Sequence, residues 1–181
     1  IYTGGYKIYT TVDNTVQSLM EEGYANTANF PTGTSTTNQV ESAMAVLDNH
    51  TGQIRGLVGG REHLTKRGYN RATDMQRQPG STFKPVSVFA PAIEMGYSPA
   101  SVVNDVKTTF GGDYTPTDYD GKYRGVISMR DTAIESRNIP SVKFMQKIGV
   151  DYSMHMIEKM GISMANDQNS GLSLALGGMT Y

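Results

Sequence analysis

Apolar and polar positions change their rhythm several times along this chain, and each change predicts an element. Residues 6–10 (Tyr6-Lys7-Ile8-Tyr9-Thr10) alternate aromatic or branched residues with polar ones, which predicts a short strand. Asp13 stands where a helix N-cap belongs. Val16, Leu19 and Met20 then fall on one face of a helix running from Asn14 into the mid-twenties. Asn26 to Gln39 is rich in Thr, Asn, Ser and Gly and reads as a linker or surface loop. The apolar run Ser42–Leu47, the turn Asn49-His50-Thr51-Gly52 and the segment Gln53–Val58 predict a β-hairpin ended by Gly59-Gly60. Residues 61–80 form a long polar loop carrying Arg61, Arg67, Arg71 and Arg77.

After Ser81, residues Phe83, Val86, Phe89, Ala90 and Ile93 trace an apolar helical face. Pro85 suits the first turns, Pro91 is expected to kink or end the helix, and Gly96 stops it. Residues 98–125 read as irregular. Ser128 with Asp131 starts a short helix to about Glu135, and Ser136-Arg137-Asn138 interrupts. Pro140 opens a second helix closed by Gly149, and Asp151 caps a third closed by Gly161. The closing residues 174–181 stop within an element.

Composition narrows the function classes. A formal net charge of -1 argues against a nucleic-acid binder. No window reaches the eighteen apolar residues of a membrane span, and no signal-peptide pattern stands at the start. With 0 cysteines, disulfides and thiolate metal sites are out. The chain starts at Ile1, without methionine, as expected of a piece of something longer.

The chemistry concentrates in Arg77-Gln78-Pro79-Gly80-Ser81-Thr82-Phe83-Lys84-Pro85, where a loop turns into a helix. Positions three apart share a helix face, which puts the Ser81 hydroxyl within hydrogen-bond reach of the Lys84 amine. A serine becomes a nucleophile when a base takes its proton, and a lysine whose pKa is pulled toward neutrality is such a base. Free N–H groups at the helix start are suited to holding an oxyanion. A second candidate group is Ser136-Arg137-Asn138, whose hydroxyl can relay a proton and whose amide can bind both Lys84 and a peptide. Taken singly, each residue has a plainer reading. Ser81 would be a helix cap, Lys84 a solvated charge, Asn138 an N-cap, and Arg137 a surface or structural ion pair. Gly80 and Pro79 are turn formers, which is what positioning the serine requires.

Other motifs fail. Ser81 is not in G-x-S-x-G. Asp118-Tyr119-Asp120-Gly121 resembles a calcium loop, but Pro116 and Ile127 occupy its first and last ligand positions, so it reads as a turn. His50, His63 and His155 lack paired metal spacing, and Met154, Met156, Met160 and Met164 read as core. No cofactor and no metal are expected.

Arg77–Pro85, with Gly59-Gly60-Arg61, Tyr69-Asn70-Arg71-Ala72-Thr73 and Glu135–Pro140, resembles the transpeptidase domain of a class A, bifunctional penicillin-binding protein. The closing Leu174-Ala175-Leu176-Gly177-Gly178 is also similar to that family, whose signature combines S-x-x-K, S-x-N and K-T-G. The resemblance implies an α+β fold of three-layer α/β/α type, an antiparallel sheet flanked by helices. It assigns residues 1–40 to a lead-in segment and linker, and 41–181 to the N-terminal part of the domain. By the same resemblance Ser81 attacks the D-Ala-D-Ala carbonyl of a peptidoglycan stem peptide, Lys84 is the base and Ser136 the proton relay. Asn138 binds the acyl-peptide amide, and Gly80 is the second substrate-binding residue. An amine of a second stem peptide then takes the acyl group, whereas β-lactams acylate Ser81 and stay. The alternatives are a D,D-carboxypeptidase or β-lactamase-type hydrolase, and a β-lactam sensor. The implied location is the extracytoplasmic face of the bacterial membrane, through an anchor in the parent chain, with a glycosyltransferase domain upstream.

Two departures stand out. Arg137 replaces the aspartate of the β-lactamase motif, and no K-T-G follows, since Lys143, Lys147 and Lys159 all lack it. The expected partner is therefore the remaining C-terminal part of the same domain, and the isolated polypeptide is not expected to complete its sheet or active site.

Overall fold

The computed structural model describes residues 3–33, 39–62, 65–164 and 171–178. His63, part of the predicted linker and the last three residues lie outside that set. Two compact units divide at Met75/Gln76, and each is described by itself.

The first unit is built on a helix and a hairpin. Asp13 caps α1 (Asn14–Ala25), its carboxylate accepting from the N–H groups of Thr15 and Val16. β1 (Met44–Leu47) and β2 (Ile54–Val58) pair antiparallel, with a register shift at Val46/Leu47. The turn between them uses Gly52 at φ +71°. Gln17 of α1 clasps the Leu57 backbone at both its N–H and C=O. Gly56 gives Met20 room, since a Cβ there would lie 2.5 Å from the Met20 sulfur. The predicted strand at 6–10 does not form. Its Tyr6, Ile8 and Tyr9 are exposed, and the alternating pattern finds no strand to pair with.

The second unit holds the main core, with Phe83, Val88, Ile139, Val142, Phe144, Met145, Ile157 and Leu174 at its centre. Residues 80–94 wind as one helical stretch in three geometries. A 3₁₀ turn (Gly80–Phe83) leads into a π turn (Pro85–Phe89) and then α2 (Ala90–Glu94). The expectation that Pro91 kinks or ends the helix is met differently. The π turn, whose Ala90 N–H reaches back to Pro85, places Pro91 in the first turn of α2, where no donor is missed. Gly96, at φ +92°, stops the helix as expected.

The stretch 98–125, read as irregular, holds a strand, and a second begins at its end. β3 (Val102–Asp105) pairs antiparallel with β4 (Gly125–Ser128). Ser128 caps α3 (Met129–Ile134), accepting from the Asp131 N–H. α4 (Asn138–Ile148) follows, and Gly149 at φ +86° separates it from α5 (Val150–Lys159). A 3₁₀ segment, Gly171–Leu176, packs against α4. Met154 and Met164 join the core as expected, while Met160 is exposed. Among the described residues no helix is long and apolar enough to cross a membrane.

Candidate active site

Gly80 sets up the serine. It adopts φ +59°, a region open to glycine, and turns the chain from Pro79 into the 3₁₀ turn. In such a turn residues three apart stack, and the Lys84 N–H closes the ring onto the Ser81 carbonyl. Ser81 is exposed, and among the described residues its hydroxyl has no hydrogen-bond partner; Thr82 makes the local contact, donating to Pro79 O at 2.6 Å. Ser81 is therefore no helix cap.

Behind this turn lies a second glycine. Gly177 (φ +71°) presses so closely on the Gly80 backbone that a Cβ would stand 2.1 Å from Gly80 O. Gly177→Ala is expected to lower stability by at least about 2 kcal/mol, combining the left-handed backbone with the clash. Thermal unfolding against Gly96→Ala, at φ +92° in the same unit and with nothing within 4 Å of the added Cβ, separates the two contributions.

Lys84 is only 2% exposed. Its Nζ donates to Ser136 O at 2.6 Å, Ser136 Oγ at 3.3 Å and Asn138 Oδ1 at 2.8 Å, across 52 residues of sequence to Ser136. The reading of Lys84 as a solvated charge is thereby overturned. Burial pushes its pKa down to about 8; the negative charge of Asp118 opposes the fall, and Arg137 adds to it. The expected hydrogen bond between Ser81 and Lys84 is not made, because the amine turns inward to the Ser136–Asn138 group.

That group has a specific backbone reason to project as it does. Ser136 takes φ +51° just past α3. The Ser136 N–H reaches Ala133 O and the Arg137 N–H reaches Thr132 O. These are the two bonds of a Schellman motif, with serine at the position glycine usually fills. Asn138 then opens α4 at its first residue, Arg137 holding the N-cap position. The Asn138 side chain is fixed at both ends, its Nδ2 donating to Thr117 O at 2.7 Å while Oδ1 faces Lys84.

Arg137 forms ion pairs, and they are buried, not on the surface. Its guanidinium is 0% exposed and binds Asp105 Oδ2 through Nε (3.1 Å) and Nη2 (3.0 Å), and Asp120 Oδ1 through Nη1 (2.9 Å). Nη2 also donates to Lys122 O and lies 3.2 Å from Asp118 Oδ2. Asp118 accepts the Asn138 N–H at 2.5 Å. The Asp118–Gly121 stretch is a turn, as read, closed by Gly121 N–H to Asp118 O. What sequence reasoning missed is that Asp118 and Asp105 point inward beneath the S-x-N turn. Among the described residues no cluster of acidic and histidine side chains could hold a metal.

The family described as "Penicillin binding protein transpeptidase domain" matches residues 42–180. The chain belongs to that family. Penicillin-binding protein 1F of Bacillus subtilis is 36% identical over 177 residues, 97% of this chain and 24% of the relative. Penicillin-binding protein 1A of Neisseria meningitidis is 37% identical over 144 residues, 76% of this chain and 18% of the relative. The chain thus spans a quarter or less of these curated relatives. The crystal structure of penicillin-binding protein 1A from Haemophilus influenzae superposes with TM-score 0.72 and 27% identity, over 78% of this chain and 21% of that one. PonA1 of Mycobacterium tuberculosis in complex with penicillin V gives TM-score 0.76 at 20% identity, over 99% of this chain and 48% of that one, a likeness of fold. The resemblance carried by Arg77–Pro85 and Glu135–Pro140 is borne out. So is the α+β class, which the transpeptidase domain here expresses as small antiparallel sheets with helices.

Proposed function

We propose that this transpeptidase domain carries the nucleophile, base and relay of a serine acyl transfer on peptidoglycan stem peptides, and that β-lactams acylate the same serine. The supporting observation is Lys84, which is buried, held toward a neutral amine, and bonded to both Ser136 and Asn138. A neutral amine has two N–H donors and one lone pair. With the donors on Ser136 O and Asn138 Oδ1, the lone pair is left to receive a proton.

In the proposed step Lys84 Nζ takes the Ser81 hydroxyl proton as Ser81 Oγ bonds to the carbonyl carbon of the D-Ala-D-Ala amide. The C–N bond then breaks, and the leaving D-alanine nitrogen receives a proton from Lys84 through Ser136 Oγ. Asn138 and the Gly80 backbone line the substrate side. Attack by an amine of a second stem peptide on the Ser81 ester forms the cross-link, expels Ser81 Oγ and returns its proton. With a β-lactam the broken C–N bond lies in the ring, so the leaving nitrogen stays tethered. Among the described residues the Ser81 hydroxyl has no partner, and catalytic hydrogen bonds often tighten only when substrate binds.

The test uses the whole protein that carries these residues, incubated with a fluorescent penicillin and mapped by peptide mass spectrometry. One adduct on the Ser81 peptide, abolished in Ser81→Ala, is expected. Label on another residue, or none, overturns the reading. A stem-peptide assay separates cross-linked dimer from released D-alanine, the product of the carboxypeptidase alternative.

A further inference from the structure

The proposed chemistry uses Ser81, Lys84, Ser136 and Asn138, and leaves a buried charged cluster without a part. Arg137, Asp105 and Asp118 are 0%, 0% and 4% exposed, deep for ionised side chains. A buried ion cluster is weak evidence of a stabilising device, since taking charges out of water costs about as much as their attraction returns. Here the pairing is also imperfect. Asp105 Oδ1 and Asp118 Oδ2 are buried without a hydrogen bond, so three carboxylates crowd one guanidinium. A cluster built only for stability would be better replaced by apolar side chains.

Its placement gives it a different use. Arg137 lies between Ser136 and Asn138 in sequence, so fixing its backbone fixes both neighbours, each one 3.8 Å Cα step away. Ser136 sits in a left-handed conformation that is unfavourable for a non-glycine residue, so something must hold it there. Asp118 meanwhile takes the first N–H of α4, that of Asn138, at 2.5 Å.

We propose that Arg137 and Asp118 are positioning residues that set the Ser136–Asn138 turn against Lys84, Arg137 from inside its aspartate cage and Asp118 through the backbone N–H of Asn138. The role rests on the acyl-transfer reading only for its kinetic consequence; the geometry at Lys84 is independent of it. Ser136 O and Asn138 Oδ1 are acceptors that favour the charged amine, so a turn that slips away from Lys84 lowers its proton affinity and disorders the relay together. The charged groups around this turn are Asp105, Asp118, Asp120, Arg124, Glu135 and Arg137, with Arg124 tied to Asp120 and Glu135. Burial, above all, raises the Asp118 pKa, and the neighbouring Asp105 adds to it while the Asn138 N–H and Arg137 oppose it.

The experiment follows two readouts in the whole protein: the penicillin acylation rate against pH, and the Lys84 titration by NMR of ¹³Cε-labelled lysine. Arg137→Lys keeps the charge and loses the fork. It is expected to lower the acylation plateau by about 10-fold or more and to move the Lys84 midpoint below its wild-type value. Asp118→Ala is expected to lower the plateau to the same extent, while Asp118→Asn, which retains an acceptor for the Asn138 N–H, stays within about 3-fold. Loss of the Asp118 charge lowers the Lys84 midpoint in both, so the midpoint is read in Arg137→Lys, where the charge is kept. An unchanged rate and midpoint in Arg137→Lys, or an unchanged rate in Asp118→Ala, overturns the proposal. So do equal losses in Asp118→Ala and Asp118→Asn, which would mean that charge matters and the hydrogen bond does not. Failure of every variant to fold also overturns it, because the cluster is then purely structural. If wild-type protein takes no label at Ser81, the acyl-transfer reading falls, and the lysine titration still decides the positioning role.

Discussion

Lys84→Met is expected to slow acylation of Ser81 by about 10³-fold, within the 10²–10⁴-fold range that a positioned general base supplies. Lys84→Arg is expected to be as poor, since a guanidinium stays protonated and has no lone pair to offer. The wild-type rate should rise with pH and reach half its plateau near the lysine pKa of about 8, because the neutral amine is the active form. The effect on stability is expected to be small. Holding a lysine at about 8 when its ordinary value is 10.5 costs roughly 3 kcal/mol below pH 8. Because the folded value lies below the unfolded one, that cost is relieved as pH rises from about 8 to 10.5. Methionine removes the cost but strands Ser136 O and Asn138 Oδ1, at about 1–3 kcal/mol each. The two effects nearly cancel. A melting curve close to wild type, beside a collapsed acylation rate, is the expected pair of results.

Ser136→Gly should separate activity from stability in the opposite direction. Serine at φ +51° occupies a Schellman position for which glycine is suited, so the substitution is expected to stabilise by about 1 kcal/mol. The Ser136 carbonyl, which holds Lys84 at 2.6 Å, is backbone and survives the change. Only the hydroxyl is lost, and with it the relay, for an expected fall in acylation of about 10²-fold. Ser136→Ala is the control, equally inactive but without the gain in melting temperature. A Ser136→Gly protein that acylates at the wild-type rate would remove the relay from the mechanism.

Much of this was legible in the sequence where the signal is local. The hairpin announced itself through Asn49–Gly52, and Ser128, Gly96 and Gly149 marked helix ends by their own conformational preferences. The S-x-x-K turn was visible as wording, and Pro79-Gly80 as the reason for the turn. Elements that depend on distant partners were not legible. β3 and β4 are four residues each and carry Asn, Asp and Gly, so neither presents a strand pattern without the other. Conversely, the alternation at residues 6–10 is a strand pattern that found no partner. Asp118 sits in a D-Y-D-G turn, and nothing near it in sequence says that its carboxylate reaches Asn138. Lys84 taken singly reads as a solvated helix charge, and only its pairing with Ser81 marks it as a base; that its amine is buried against Ser136 and Asn138 depends on residues more than fifty positions away.

The aspartate cage also decides what happens if the chain is cut. Gly111, Gly112 and Asp113 are exposed in the loop between β3 and β4, where a protease finds easy access. Asp105 lies on one side of such a cut and Asp118 and Asp120 on the other, and Arg137 grips all three. With the β3–β4 ladder also spanning the cut, the two pieces are expected to stay associated, the break showing on a denaturing gel and not on a native one.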